Sequence, residues 1–472
     1  MPTPRPTRSL RPVRLGAVAL LVAAGTAAAQ TSNAPAFAAV PIPTTLTLEE
    51  AVLRALEANP GLAAAAGRVA AAQALTRQAA SAAYPWFSAS AGYARSDNPP
   101  QAFMMALNQR RLDMSPPAFN PNDPEDTDNT RLSLGVRWAF GDFGRTRADV
   151  DAAGRGAALA ACQALAARNA LAHEVTRAYC GVLQAQAFGR VQEETVVSLT
   201  ESRRVAQSRL DAGAAVRTDV LNLDVRLAQA REDRLSAANA EALALAALNT
   251  AIGQDVATAR NLVGPPAGEP ASLPAEDPSV PEARPEWRAA RETVAVCQAR
   301  LERARREQAP ALGLQGSLDW DHGDALFEGY EQSYTVGVQA EWALADGGRR
   351  AAAVEAAAAE AAAAESAAAQ ARRDLLLDYR QARLLASDAR GRIDVARAAI
   401  ENAAEALRIT RERYEKGAAD VTDLLAAQTA LTAQRTRLVA ATYDYAVALS
   451  DVSRAAGKRA ADAYGRGRPD AR

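Results

Sequence analysis

The 472-residue sequence predicts a mainly α-helical chain with strands for a membrane β-barrel, built from a duplicated unit of two strands plus long coiled-coil helices. Three observations predict it: internal similarity at a fixed offset, helix-period stretches of nearly 70 residues, and segments of about ten residues alternating with period two. Composition agrees. With 49% hydrophobic but only 5% aromatic residues, Ala and Leu dominate, which suits helices packed closely side by side better than a thick globular core.

The duplication is read directly. Arg209-Leu-Asp-Ala-Gly213-Ala214-Ala215-Val-Arg217-Thr218-Asp219-Val-Leu221 recurs as Arg413-Tyr414-Glu-Lys-Gly417-Ala418-Ala419-Asp420-Val-Thr422-Asp423-Leu-Leu425. The offset of 204 also maps Trp138-Ala-Phe-Gly-Asp142-Phe-Gly144-Arg145 onto Trp342-Ala-Leu-Ala-Asp346-Gly-Gly348-Arg349. Upstream, Pro60 and Pro85 match Pro285 and Pro310 at offset 225, so the first copy carries the longer insertion, near residues 96–130. The predicted order is a signal over 1–29, an N-terminal linker over 30–45, a first repeat over 46–254 and a linker over 255–285 rich in Pro, Gly and acidic residues. A second repeat over 286–457 and a disordered tail over 458–472 follow.

The first 29 residues read as an export signal: Arg5, Arg8, Arg11 and Arg14, then an apolar stretch from Leu15 to Ala24, then an Ala-rich cleavage site before Gln30. Its removal leaves 50 basic against 55 acidic residues, a balance that recommends no nucleic-acid partner. The three cysteines make no disulfide framework, because Cys162 and Cys180 lie about 27 Å apart on one predicted helix.

Each unit reads helix, strand, loop, strand, long helix, sharp turn, helix. The predicted helices are 46–83, 145–211 and 218–252 in the first unit, and 286–309, 348–415 and 422–456 in the second. Ile393, Ile400, Leu407 and Tyr414 step by seven with small partners Ala396 and Ala403, and Leu424, Leu431, Leu438, Tyr445 and Val452 do the same, which is coiled-coil spacing. Thr218 and Thr422 read as helix N-caps, and Gly213 and Gly417 as the positive-φ residues of the turns.

Four segments alternate: Phe87 to Ala94, Leu132 to Phe140, Leu312 to Trp320, and Tyr334 to Leu344. Their length is that of a tilted membrane strand, and Tyr93, Trp138, Trp320 and Trp342 sit where an aromatic girdle belongs. Four strands cannot close a barrel, and a bilayer tolerates no open sheet edge. The chain must therefore oligomerise; two copies give eight strands and three give twelve, and strand counting leaves both open.

Taken together, these motifs resemble the TolC-like outer-membrane efflux channels. The resemblance runs from about Leu46 to Gly457 and is carried by the Trp342-to-Arg349 stretch, by Tyr414-Glu-Lys-Gly417 with Thr422-Asp423, and by the loop from Asn98 through Arg111 to Asn120-Pro. It implies a homotrimer with a twelve-strand barrel in outer-membrane lipid and a twelve-helix tunnel in the periplasm, completed by a periplasmic adaptor protein and an inner-membrane transporter. The turns, with Gly213, Ala214, Ala215, Gly417, Ala418 and Ala419, would meet the adaptor. By motif position Tyr414 matches a tyrosine that hydrogen-bonds the carboxylate matched by Asp219, and Thr218 matches the acceptor for a basic residue. That basic position is Ala419 here, with Arg217 a candidate replacement. Asp423 matches one of two aspartates ringing the entrance; the second falls on Ala426, and Asp420 adds negative charge nearby.

Catalytic chemistry is not in view. His173 and His322 have no partner at metal or triad spacing, no phosphate loop or nucleophile elbow occurs, and no cofactor is expected. The leading function is thus a passive exit duct for small molecules. Its alternatives are the exit duct of a type I protein secretion system, and an exported coiled-coil scaffold, which would be soluble and would not conduct.

Overall fold

The computed structural model describes residues 45–112, 124–264, 280–323 and 330–458. The predicted signal, linker residues 30–44 and 265–279, Asn120 of the external loop and the predicted tail from 459 onward lie outside them. The elements are β1 (Thr45–Leu46), α1 (Leu48–Ala58), α2 (Pro60–Ser81), β2 (Trp86–Ser96), α3 (Pro99–Asn108), β3 (Thr127–Gly141), α4 (Arg145–Asp211), α5 (Arg217–Ile252), β4 (Asn261–Leu262), α6 (Val280–Ala283), α7 (Pro285–Arg306), β5 (Ala311–His322), β6 (Glu331–Glu341), α8 (Arg349–Glu415) and α9 (Val421–Ala455).

Helices α4 and α8 each run 67 residues, about 100 Å at 1.5 Å per residue. Both begin the same way. Gly144 (φ 88°) and Gly348 (φ 87°) take the left-handed conformation that a side chain resists. The carboxylate two residues earlier then receives the first free amides. Asp142 accepts from the Gly144 and Thr146 N–H at 2.9 and 2.7 Å, and Asp346 from Gly348 and Arg350 at 3.2 and 3.1 Å. These contacts outweigh the upward push of burial and hold the Asp142 carboxyl below the usual range.

Two expectations need correction. The single helix expected over 46–83 breaks at Asn59, because Pro60 forces its predecessor out of the helical region (φ −72°, ψ 122°). Asn59 then caps α2 by accepting from the Gly61 N–H at 2.8 Å, and donates to the Ala251 carbonyl at 3.1 Å, tying the break to the end of α5. The last strand ends at Glu341, so Trp342 and Leu344 lie beyond it.

The short strands β1 and β4, in stretches read as linkers, pair in parallel. The buried Tyr179 hydroxyl donates towards the Leu46 and Val263 carbonyls at 2.8 and 2.5 Å, pinning that pair to α4. Around it lies one core, with Val52, Val175, Val182, Leu248 and Ile252. A second joins α4, α5, α8 and α9 near the two turns, and a third lies between α8 and α9. Most of the seven-residue seam is buried in them: Ile393, Leu407, Tyr414, Leu424, Leu431, Tyr445 and Val452 are under a tenth exposed, while Ile400 and Leu438 are half-buried.

The sheet is antiparallel in the order β2-β3-β5-β6. Register aligns apolar side chains across it, as in Ala89–Leu134–Leu318–Tyr334, and small polar ones on the other face, as in Ser88–Gly135–Ser317–Thr335. Among the described residues nothing covers the apolar face: Phe87, Tyr334, Val336 and Val338 are 69–77% exposed. A sheet that folded in water would bury that face. Within one chain the sheet is open, with β2 and β6 as free edges, so the closed barrel expected from sequence is not formed by a single copy.

Candidate functional site

At one end of the helices, two turns lie side by side. In the first, Gly213 (φ 73°) closes α4, its N–H donating to the Leu210 carbonyl at 2.9 Å, and the Ala214 N–H reaches the Arg209 carbonyl at 2.7 Å. In the second, Gly417 (φ 76°) donates to Tyr414 at 3.0 Å, and Ala418 to Arg413 at 2.7 Å. Gly213, Ala214, Gly417 and Ala418 are exposed, while Ala215 and Ala419 are half-buried.

The threonines are not the caps. Val216 (φ −100°, ψ 153°) and Asp420 (φ −88°, ψ 161°) are the extended residues before α5 and α9, and neither side chain caps its helix. Thr218 and Thr422 therefore fall inside the first turn and are exposed. The chain enters each helix earlier than spacing alone suggested. Asp219 and Asp423 remain in the first turn, where the helix dipole favours a carboxylate. Asp420 and Asp423 are exposed and Asp219 is half-buried.

Tyr414 is 2% exposed, and its hydroxyl has no hydrogen-bond partner among the described residues. The bond to Asp219 implied by the resemblance is thus not made in this geometry. Burial, then the charge of the Asp219 carboxylate, raise its phenol above the ordinary value, with Arg209 opposing.

Arg209 is what holds Tyr414, a role motif matching did not assign. Its guanidinium stacks 4.7 Å from the Tyr414 ring centroid, donates to the Tyr414 carbonyl, and donates to the Ala214 carbonyl at 3.1 Å. One side chain thereby joins both turns. Its repeat counterpart Arg413 reaches only its own turn, at Ala418. Invariance of the Arg-x-x-x-Gly spacing between the two copies was the available signal.

Farther along, polar pairs lock α4 to α9. Ser198 donates to Gln428 at 3.0 Å, Thr195 and Thr432 lie 3.1 Å apart, and Arg435 meets Glu194 at 2.6 Å. At mid-length a chain of polar contacts links α4, α8 and α9 to the residue that precedes α7. Arg284, 3% exposed, bonds Asp378 at 2.6 Å; Asp378 meets Arg454 at 3.0 Å; and His173 meets Asp451 at 2.9 Å. Burial pushes the Asp378 carboxyl up, but Arg454 and Arg284 outweigh it and hold the group below the carboxylate range.

At the other end, the four aromatics expected as a girdle fall on two levels. Trp138 and Trp342 lie at the helix side of the sheet, where their indole N–H groups donate to the Ala83 and Gln308 carbonyls at 3.0 and 3.1 Å. Tyr93 lies at the far side with its hydroxyl 2.6 Å from Asp128, and Trp320, near the end of β5, shares that level.

Comparison with known proteins matches residues 51–254 and 279–458 to the family described as outer membrane efflux protein. The chain is 28% identical over 325 residues to outer membrane protein OprJ of Pseudomonas aeruginosa, 67% of each chain. It is 26% identical over 285 residues to the alkaline protease secretion protein AprF of the same organism, spanning 58% of that relative's length. The fold matches the outer-membrane channel OprN with a TM-score of 0.76 at 23% identity, covering 88% of this chain and 90% of that one. The chain therefore belongs to the outer membrane efflux protein family, channels rather than enzymes, seated in the outer membrane with their helices in the periplasm.

Proposed function

We propose that the chain is the passive exit duct of a tripartite efflux system for small molecules, acting as a homotrimer. The observation that carries this is the open four-stranded sheet, lipid-compatible on one face and polar on the other. Strands β2 and β6 run antiparallel to each other, so β6 of one copy can add to β2 of the next without breaking the alternation. Three copies close twelve strands, and their long helices extend the duct into the periplasm. Residues 46–254 and 286–457 act as the two repeats, joined and flanked by linkers.

Asp423 and Asp420 form an acidic entrance, Thr218, Asp219 and Tyr414 belong to its closure, and the side-chain-poor turns at Gly213–Ala215 and Gly417–Ala419 offer backbone to an adaptor. Force comes from an inner-membrane transporter. Light scattering of the detergent-purified protein is expected to give three copies, and planar bilayers are expected to show discrete conductance steps. A monomer, a dimer, or no conductance with the entrance loosened would refute the reading.

Similarity to AprF favours a second reading, an exit duct for secreted protein. A deletion strain decides: drug sensitivity on deletion that the returned gene reverses supports efflux, and loss of an extracellular protein without drug sensitivity supports secretion.

A further inference from the structure

The polar face of the sheet carries one cation that the fold leaves without a counter-charge. Other charges there are matched: Arg131 with Asp321 at 2.8 Å, and Glu331 with Arg110, just after α3, at 3.3 Å. Asp319 accepts from the Ser317 hydroxyl at 2.8 Å. Arg137 has neither an ion pair nor a hydrogen bond among the described residues; its guanidinium lies 5.9 Å from the Trp86 ring centroid. Glu341 is four positions beyond the row of Arg137, about 13 Å along the strand.

Trp86 is unusual too. It is 61% exposed and shares the polar face, directly across from Arg137 in register. The row continues through Gln315 to Gly337, and the row above it is Ser88, Gly135, Ser317 and Thr335. All of these except Gly337 border a hollow of about 250 Å³. A Cβ at Gly135 would come within 2.8 Å of the Ser88 hydroxyl, so its absence keeps the floor low.

We infer that this hollow is a contact site, on the lumenal wall, for organic anions that carry a planar apolar group. A guanidinium is weakly hydrated and offers a planar fork to carboxylate or sulfonate. The indole beside it takes the ring, and the hydroxyl rows complete the polar rim. An open wall site of this kind binds weakly, as a conducting duct requires, since a solute must also leave. All the residues come from one chain, with Trp86 on the β2 edge that the next copy would join. Its lumenal position rests on the duct reading above.

The test uses 2-naphthalenesulfonate with the full-length protein in detergent, by equilibrium dialysis. Wild type is expected to bind one probe per chain with a millimolar constant. Arg137→Ala is expected to weaken binding at least tenfold and Trp86→Leu severalfold, with Arg137→Lys between wild type and Arg137→Ala because it keeps charge but not the fork. Unchanged circular dichroism and heat stability identify folded variants; both side chains are exposed, and the lysine variant supplies a second folded comparison. Arg137→Ala binding within twofold of wild type would overturn the site. In bilayers the same probe is expected to reduce current through wild type and not through Arg137→Ala. Probe binding that depends on Arg137 with no effect on current supports the site and overturns its lumenal placement.

Discussion

Removing Arg209 should loosen the entrance far more than removing its repeat counterpart. Arg209→Ala deletes the stack on Tyr414 and two hydrogen bonds from a charged donor to carbonyls of different turns. Such bonds contribute about 1.5–3 kcal/mol each when dry and well under half that at a half-exposed site, and the stack adds ~0.5–1 kcal/mol. The total is roughly 2 kcal/mol per chain, a shift of roughly 30-fold in the balance between joined and separated turns. Arg413→Ala loses one bond inside its own turn, which costs about 0.5–1 kcal/mol and leaves the two turns joined. The assay is resting open probability in planar bilayers, with proteolytic cleavage at residues 212–216 as an independent reading. Arg209→Ala should be open and cleavable, and Arg413→Ala close to wild type. Equal effects of the two, or an Arg209→Ala channel as closed as wild type, would refute the argument.

Asp423→Asn, at an exposed first-turn carboxylate, should lower cation selectivity and weaken block by divalent ions; a reversal potential identical to wild type in a salt gradient would remove Asp423 from the entrance. Gly417→Ala places a Cβ at φ 76° and 3.3 Å from the Arg209 guanidinium, and should lower stability by about 1–2 kcal/mol in denaturant unfolding, whereas Gly391→Ala, where a Cβ meets nothing within 4 Å on α8, should be neutral or stabilising. The depressed carboxyl of Asp378 makes the mid-length ionic chain acid-sensitive: its contribution is full above the unfolded value of about 4 and is lost as pH falls through the lower folded value. Asp378→Asn should flatten that acid limb, and an unchanged acid titration of thermal stability would show that the ionic chain contributes nothing.

Helix and strand identity were legible in the sequence because they rest on periodicity, a local property of the chain. The seams at Ile393, Leu407, Leu424 and Leu431 declare themselves by spacing and are buried, and the turn glycines are set by a backbone angle that only glycine adopts freely. What spacing could not reach depends on distance in space. The residue at which a helix starts was misplaced at Thr218 and Thr422, because capping is decided by which backbone amides a side chain can reach. The small β1–β4 pair escaped notice, since two residues carry no period and their pairing, tied to α4 by Tyr179, joins segments more than 200 residues apart. The reach of Arg209 across to Tyr414, and the missing partner of the Tyr414 hydroxyl, likewise belong to the packing of one repeat on the other. The sequence by itself determined the repeat, its helices and its membrane-seeking strands. Only the tertiary structure decided which side chains join the repeats at the entrance, because hydrogen bonds and stacked rings depend on separations of a few ångströms that no one-dimensional period encodes.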